Sequence, residues 1–162
     1  MPDLDSNNPV STRALPSLIV FLAVTFAAAA FGAQFAPGEW YESLAKPAWN
    51  PPNWIFAPVW SLLYAMMGIA AWLVWWRVQA LGLPIFLWFG QLVLNAMWSW
   101  LFFGLERPDL AALEILFLLV AIIATATTFF RESRVAGMLL VPYIAWVSFA
   151  AFLNFTLWRL NA

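Results

Sequence analysis

The 162-residue sequence contains neither histidine nor cysteine. These absences exclude an imidazole general base, a thiolate nucleophile, a His/Cys zinc site and His-ligated haem. Without cysteine there is also no disulfide framework. Charge is scarce: Asp, Glu, Lys and Arg make up 9% of the chain, against about 25% in a soluble domain. A net charge of −1 leaves no basic footprint for nucleic acid. No acid–base or metal constellation suited to dark catalysis stands out, so neither catalytic residues of that kind nor metal ligands are expected.

What is abundant is apolar and aromatic. Hydrophobic residues form 65% of the chain, twelve of its residues are tryptophan, and the mean hydropathy is +0.84. This is the composition of an integral, multi-pass membrane protein. A spanning helix takes about 20 apolar residues at roughly 1.5 Å each. The length therefore accommodates five spans with short connections and no separate soluble domain. The fold class expected is all-α.

Residues 1–16 are polar and non-periodic and predict a mobile tail. The apolar run 17–35 predicts the first span. Its Ala28-Ala29-Ala30 stretch resembles a signal-peptide cleavage site, but the run is long enough to cross a bilayer. Its Ala28-x-x-x-Gly32 pair also suits close helix packing, so a retained helix is expected. Further spans are predicted over about 57–77, 83–103, 110–130 and 135–159. Pro84 fits a first helical turn, and Pro142 predicts a kink in the last span. Lys and Arg are almost evenly divided between the two sides, which leaves the orientation open.

The segment between the first two spans, residues 37–56, is long for a connection. Its Trp40, Tyr41, Trp49 and Trp54 argue against disorder. A lid over a cavity or an interfacial aromatic anchor would each account for it. Gly38–Ala45 predicts a short helix that stops at Lys46-Pro47.

Helical spacing groups the candidate site residues. Trp60 and Tyr64 share a face with Met67 and Ala71; Gln91, Asn95 and Trp98 share another; Trp146, Ala150 and Asn154 a third. Amides inside a bilayer face the protein interior. They serve there either as interhelical glue or as polar anchors in an apolar pocket. The small Ala150 leaves room beside an indole. Glu114 is an ionisable residue well inside a span and so a functional candidate, although its closeness to the helix start favours helix–helix contact over proton coupling. Trp72, Trp75, Trp76 and Trp158 lie near helix ends, as interfacial indoles do.

Several spaced motifs resemble the TspO/translocator protein family, the tryptophan-rich sensory proteins or peripheral-type benzodiazepine receptors. They are Trp40-Tyr41 with Leu44-Ala45-Lys46-Pro47-Ala48-Trp49-Asn50-Pro51-Pro52, then Pro58-Val59-Trp60-Ser61-Leu62-Leu63-Tyr64. Gly90-Gln91-Leu92-Val93-Leu94-Asn95 and Phe102-Phe103-Gly104 follow, and Pro142-Tyr143-Ile144-Ala145-Trp146 and Leu153-Asn154-Phe155 close the series. The resemblance implies a five-helix bundle whose first loop closes over a cavity, commonly as a homodimer. It also implies binding of porphyrins and other tetrapyrroles, with sterols or synthetic isoquinolines and benzodiazepines in some members. By similarity Tyr41 and Trp49 line the lid. Trp60 and Asn95 offer hydrogen bonds, with Gln91 and Tyr64 nearby, and Trp146 and Ala150 form the opposite wall; helical spacing adds Trp98. Phe155 stands where the sterol-associated motif has tyrosine, which counts against sterol binding. Phe86 lies four residues before Gly90, so no small-x-x-x-small pair marks a dimer seam there, and the homodimer follows from the resemblance alone.

The leading expectation is a membrane protein that binds tetrapyrroles or other apolar small molecules, with a transport, sensing or regulatory role. It needs no cofactor; porphyrin or haem is the ligand, held without imidazole ligation. A second expectation is light-dependent porphyrin degradation, with Trp60 and Trp146 in the redox chemistry. A third is a small transporter or scaffold with no tetrapyrrole role, although no inverted repeat supports transport. The partners expected are the bilayer and the small molecule, and not nucleic acid.

Overall fold

The computed structural model describes the backbone of residues 9–35 and 37–162 and, within those stretches, the side chains from Ala14 onward. The described residues contain helices and no strand. The elements are α1 (Pro9–Gly32), α2 (Glu39–Ser43), a 3-10 turn (Asn53–Ile55), α3 (Phe56–Val78) and α4 (Leu83–Ser99), then a π-helical turn (Trp100–Gly104), α5 (Pro108–Glu132) and α6 (Arg134–Leu160). Among the described residues five segments are long and apolar enough to cross a membrane: those built on α1, α3, α4, α5 and α6. They coincide with the five predicted spans to within a few residues at most ends.

The largest difference lies at the start. Of the tail expected over residues 1–16, residues 1–8 fall outside the described residues, while Pro9–Pro16 is already helical. Pro9 sits in a first turn, where its missing N–H is no loss. Pro16 forgoes one hydrogen bond, which does not stop the helix. The predicted short lid helix is present as Glu39–Ser43. At the other end of the chain α6 runs without interruption through Pro142, whose missing N–H leaves the Met138 carbonyl without its helical donor.

The spans close into a ring. α5 and α6 form the most extensive pair, followed by α4 with α5 and α1 with α3; α3 meets α6, and α1 meets α4. The centre is filled by Met67, Ala70 and Ala71 of α3, Ile122 and Phe129 of α5, and Ala136 of α6, all at 0% exposure. Small residues let helices approach. A Cβ at Gly68 of α3 would lie 2.9 Å from the Leu22 side chain of α1. Phe86, Phe117, Val120 and Phe152 turn outward and are exposed. In water they would be a liability, whereas in a bilayer they are ordinary lipid-facing side chains.

The second interhelical turn is tight. Gln79 takes the left-handed conformation at φ 54° after α3, and its amide N–H donates to the Trp75 carbonyl at 2.7 Å. After α4 the backbone widens into the π turn, where the Leu105 N–H reaches back to the Trp100 carbonyl at 2.8 Å. A π turn inserts into a helix what the regular 3.6-residue repeat does not contain, and such turns concentrate at functional sites.

Candidate functional site

A cavity of about 340 Å³ lies between the lid and the ends of four spans. α3 contributes Phe56, Ala57, Trp60 and Tyr64, which follow the i, i+4 spacing of one helix face. α4 adds Asn95, Trp98 and Ser99, and the π turn adds Phe102 and Phe103. Ala150, Leu153, Asn154 and Leu157 of α6 form the facing wall, while Ala29, Gly32 and Ala33 of α1 form the thinnest one. Above them lie Phe35, Pro37, Tyr41 and Asn53. Among the described lining residues there is no Asp, Glu, Lys or Arg.

The floor of the cavity is polar. The Tyr64 hydroxyl donates to Asn95 Oδ1, and Asn95 Nδ2 donates to the Tyr143 hydroxyl at 3.0 Å. Tyr143 in turn donates to Gln91 Oε1 at 2.9 Å, and Gln91 Nε2 contacts Met67 Sδ at 3.7 Å. All five side chains are buried. Their polar atoms have no water or lipid headgroup to turn to, so pairing among themselves removes the penalty of burial. On the wall, Trp98 Nε1 donates to Asn154 Oδ1 at 3.0 Å, and Asn154 Nδ2 donates to the Pro108 carbonyl at 2.9 Å. That pair orients the Trp98 ring, which stacks on Phe102 with centroids 5.2 Å apart. The Trp60 ring lies 5.6 Å from that of Tyr64, and among the described residues its indole N–H has no hydrogen-bond partner.

The lid is held by several weak ties. Tyr41 is buried, its ring edge-on to Phe102 and Phe103 at 6.2 and 5.5 Å. Burial raises the pKa of its hydroxyl, and a bond to Asn50 Oδ1 at 3.4 Å pulls the other way. The Lys46 ammonium sits 4.7 Å from the Tyr41 ring centroid. Asn161, just past α6, clasps the lid backbone: its Oδ1 accepts from the Ala45 N–H at 2.9 Å and its Nδ2 donates to the Ala45 carbonyl at 3.0 Å.

Six of the nine residues singled out from the sequence line this cavity: Tyr41, Trp60, Tyr64, Asn95, Trp98 and Ala150. Three stand outside it. Trp49 belongs to the lid but stacks on Phe152 at 5.2 Å, on the outer face of α6, and is 43% exposed. Gln91 lies one turn beyond Asn95, beneath the floor, where Tyr143 and Met67 occupy its amide. Trp146 lies one turn before Ala150, but its ring leans on Phe56 and Phe149, at 5.8 and 5.7 Å, and Phe56 stands on the cavity side. Its buried indole N–H has no hydrogen-bond partner among the described residues. Of the two indoles named for photo-oxidation, Trp60 alone lines the cavity. Phe102, Phe103 and the α1 wall were not among the site residues singled out. Nor was Tyr143, although it precedes Ala150 by two helical turns and so shares its face.

A TspO/MBR family model matches residues 18–159, nearly the whole chain. The chain belongs to the TspO/MBR family. It is 42% identical over 159 residues to the tryptophan-rich protein TspO of Chlorobaculum tepidum, covering 96% of this chain and 99% of the relative. It is 40% identical to protein CrtK of Rhodobacter capsulatus, with coverage of 88% and 91%. It is 39% identical to the human translocator protein, with coverage of 80% and 81%. With five apolar spans and this membership, the TspO/MBR chain is an integral, multi-pass membrane protein.

Proposed function

We propose that this TspO/MBR protein binds flat, apolar aromatic molecules, tetrapyrroles foremost, beneath its lid, in a carrier, sensing or regulatory role. The observation that carries the reading is the cavity itself: about 340 Å³, lined by aromatic rings and a few polar atoms, without a charged side chain among its described lining residues. That is how small-molecule pockets are built, and the volume falls at the lower end of the usual range of about 300–1,000 Å³. The aromatic part of a ligand stacks between Trp60, Trp98 and Phe102. The carboxylates of a porphyrin stay outside, where the lid offers the cation Lys46. A full macrocycle is accommodated with the lid displaced, and a smaller aromatic fits with it closed.

The test is a titration of purified protein with porphyrin, followed by quenching of tryptophan fluorescence. Saturable quenching is expected. Ala150 faces the cavity, so Ala150→Phe fills it from the α6 wall and is expected to weaken binding at least about tenfold while leaving the helical spectrum unchanged. If Ala150→Phe binds porphyrin as the parent does, the ligand is not in this cavity.

A further inference from the structure

The polar chain under the cavity has a direction, and that direction is set from its far end. Hydroxyls donate or accept, and amides can be turned either way, so Tyr64, Asn95, Tyr143 and Gln91 alone would be satisfied with their protons pointing in either sense. Met67 removes the choice. Its thioether sulfur has no proton and only accepts, and it lies 3.7 Å from the Gln91 amide at a fully buried position. Gln91 must therefore turn Nε2 towards Met67 and Oε1 towards Tyr143, which commits the Tyr143 proton to Gln91 at 2.9 Å. The Tyr143 oxygen is left to accept from Asn95 Nδ2 at 3.0 Å. That leaves Asn95 Oδ1 facing Tyr64, whose proton it takes. Both hydroxyl protons, those of Tyr64 and Tyr143, are therefore spent within the chain and not offered to the cavity. The reverse arrangement would set Gln91 Oε1 against sulfur, acceptor against acceptor, with one hydrogen bond fewer.

Resting on the cavity reading above, we infer that the floor of the site presents an acceptor and no hydroxyl donor, and so selects neutral flat ligands that carry a ring N–H, with buried Met67 as the positioning residue that sets this preference. Tyr64 lines the cavity; its oxygen keeps lone pairs for a ligand, and donation into the chain makes that oxygen a better acceptor. The cavity's other donors lie along its walls and lid side, in the Trp60 indole N–H, the Ser99 hydroxyl and the Asn53 amide. A ligand whose polar edge only accepts finds no hydroxyl donor at the floor and leaves the Tyr64 lone pairs unused, so it gains one hydrogen bond fewer in a dry site.

Carbazole and dibenzofuran test this, because they share one rigid tricyclic shape and differ in N–H against ring oxygen. Binding of each to the full chain in lipid nanodiscs is read from tryptophan quenching, with Ala150→Phe as the background for partition into lipid. Carbazole is expected to bind about tenfold more tightly, the equivalent of one hydrogen bond. Met67→Leu conserves volume and frees the Gln91 amide to turn; the preference is expected to fall to about twofold, chiefly because dibenzofuran binds more tightly once Tyr64 can donate to it. Gln91→Leu removes the acceptor for Tyr143, lets the chain reverse and is expected to abolish the preference. Protein labelled with selenomethionine keeps a buried acceptor and should keep the preference, which a purely structural role for Met67 would not require. Equal binding of both compounds to the parent protein, or a tenfold preference that survives both leucine substitutions in folded protein, overturns the inference and leaves the cavity reading standing. If neither compound is displaced by Ala150→Phe, the cavity reading fails and the inference falls with it.

Discussion

Tyr143 shows how much of this bundle hangs on single hydroxyls. Its oxygen joins α4 to α6 twice, through Asn95 and Gln91, at 1% exposure. Tyr143→Phe leaves the ring packing in place but orphans an Asn95 N–H and the Gln91 carbonyl. An unsatisfied buried group costs about 1–3 kcal/mol, while interhelical hydrogen bonds in membranes average only about 0.6 kcal/mol. A loss of about 1–3 kcal/mol is expected in unfolding measurements in mild detergent, and an unchanged midpoint would show that the two amides find other partners. At this scale the sequence was legible where helical period and side-chain direction agree. Trp60, Tyr64 and Asn95 follow steps of four, and all reach the cavity. Trp146 obeys the same period, yet its ring leans towards Phe56, because period places a Cβ and not the ring beyond it. The role of Met67 was not legible either, since a buried methionine on an apolar face reads as core until its sulfur is seen beside an amide.

The elements that close the site are the lid and the π turn. A lid was readable from the length and aromatic content of residues 37–56, and its short helix from the Lys46-Pro47 stop. The π turn was not, since no composition signal separates it from the end of α4. It nonetheless brings Phe102 and Phe103 to the cavity with ring centroids 4.8 Å apart, and Tyr41 packs against both. Nor could sequence show that Asn161 binds Ala45, 116 residues away. Those two hydrogen bonds are exposed, so each contributes little to global stability, about 0.5–1.5 kcal/mol. Local opening of the lid is what they govern. Asn161→Ala is expected to raise hydrogen exchange at the Ala45 amide several-fold and to speed release of bound porphyrin in a chase experiment, with the melting temperature nearly unchanged. Faster exchange at Ala45 with unaltered release would mean that ligand leaves by a route other than the lid.

In the whole molecule the five spans do not contribute equally. Within the described side chains α1 buries only Phe21, Thr25 and Gly32, whereas α5 and α6 each bury a face along their length. The ring is therefore weakest where α1 closes it, and α1 also supplies the thin cavity wall of Ala29, Gly32 and Ala33. Its contact with α3 depends on Gly68, where an added Cβ would stand 2.9 Å from the Leu22 side chain and 3.3 Å from its Cα. The backbone approach leaves no room to relax, so Gly68→Leu is expected to displace α1 and to cost about 1–3 kcal/mol. Its contact with α4 offers the means of testing that account. A Cβ at Gly32 would lie 3.6 Å from that of Ser99, within the usual disulfide separation of roughly 3.5–4.5 Å. Because the chain has no cysteine, Gly32→Cys with Ser99→Cys introduces a single pair with no competitor. Oxidation is expected to staple α1 to α4 and to recover most of the melting temperature lost in Gly68→Leu, with reduction reversing the gain. If the oxidised triple variant melts no higher than the reduced one, the damage from Gly68→Leu lies within α3 and not in the docking of α1.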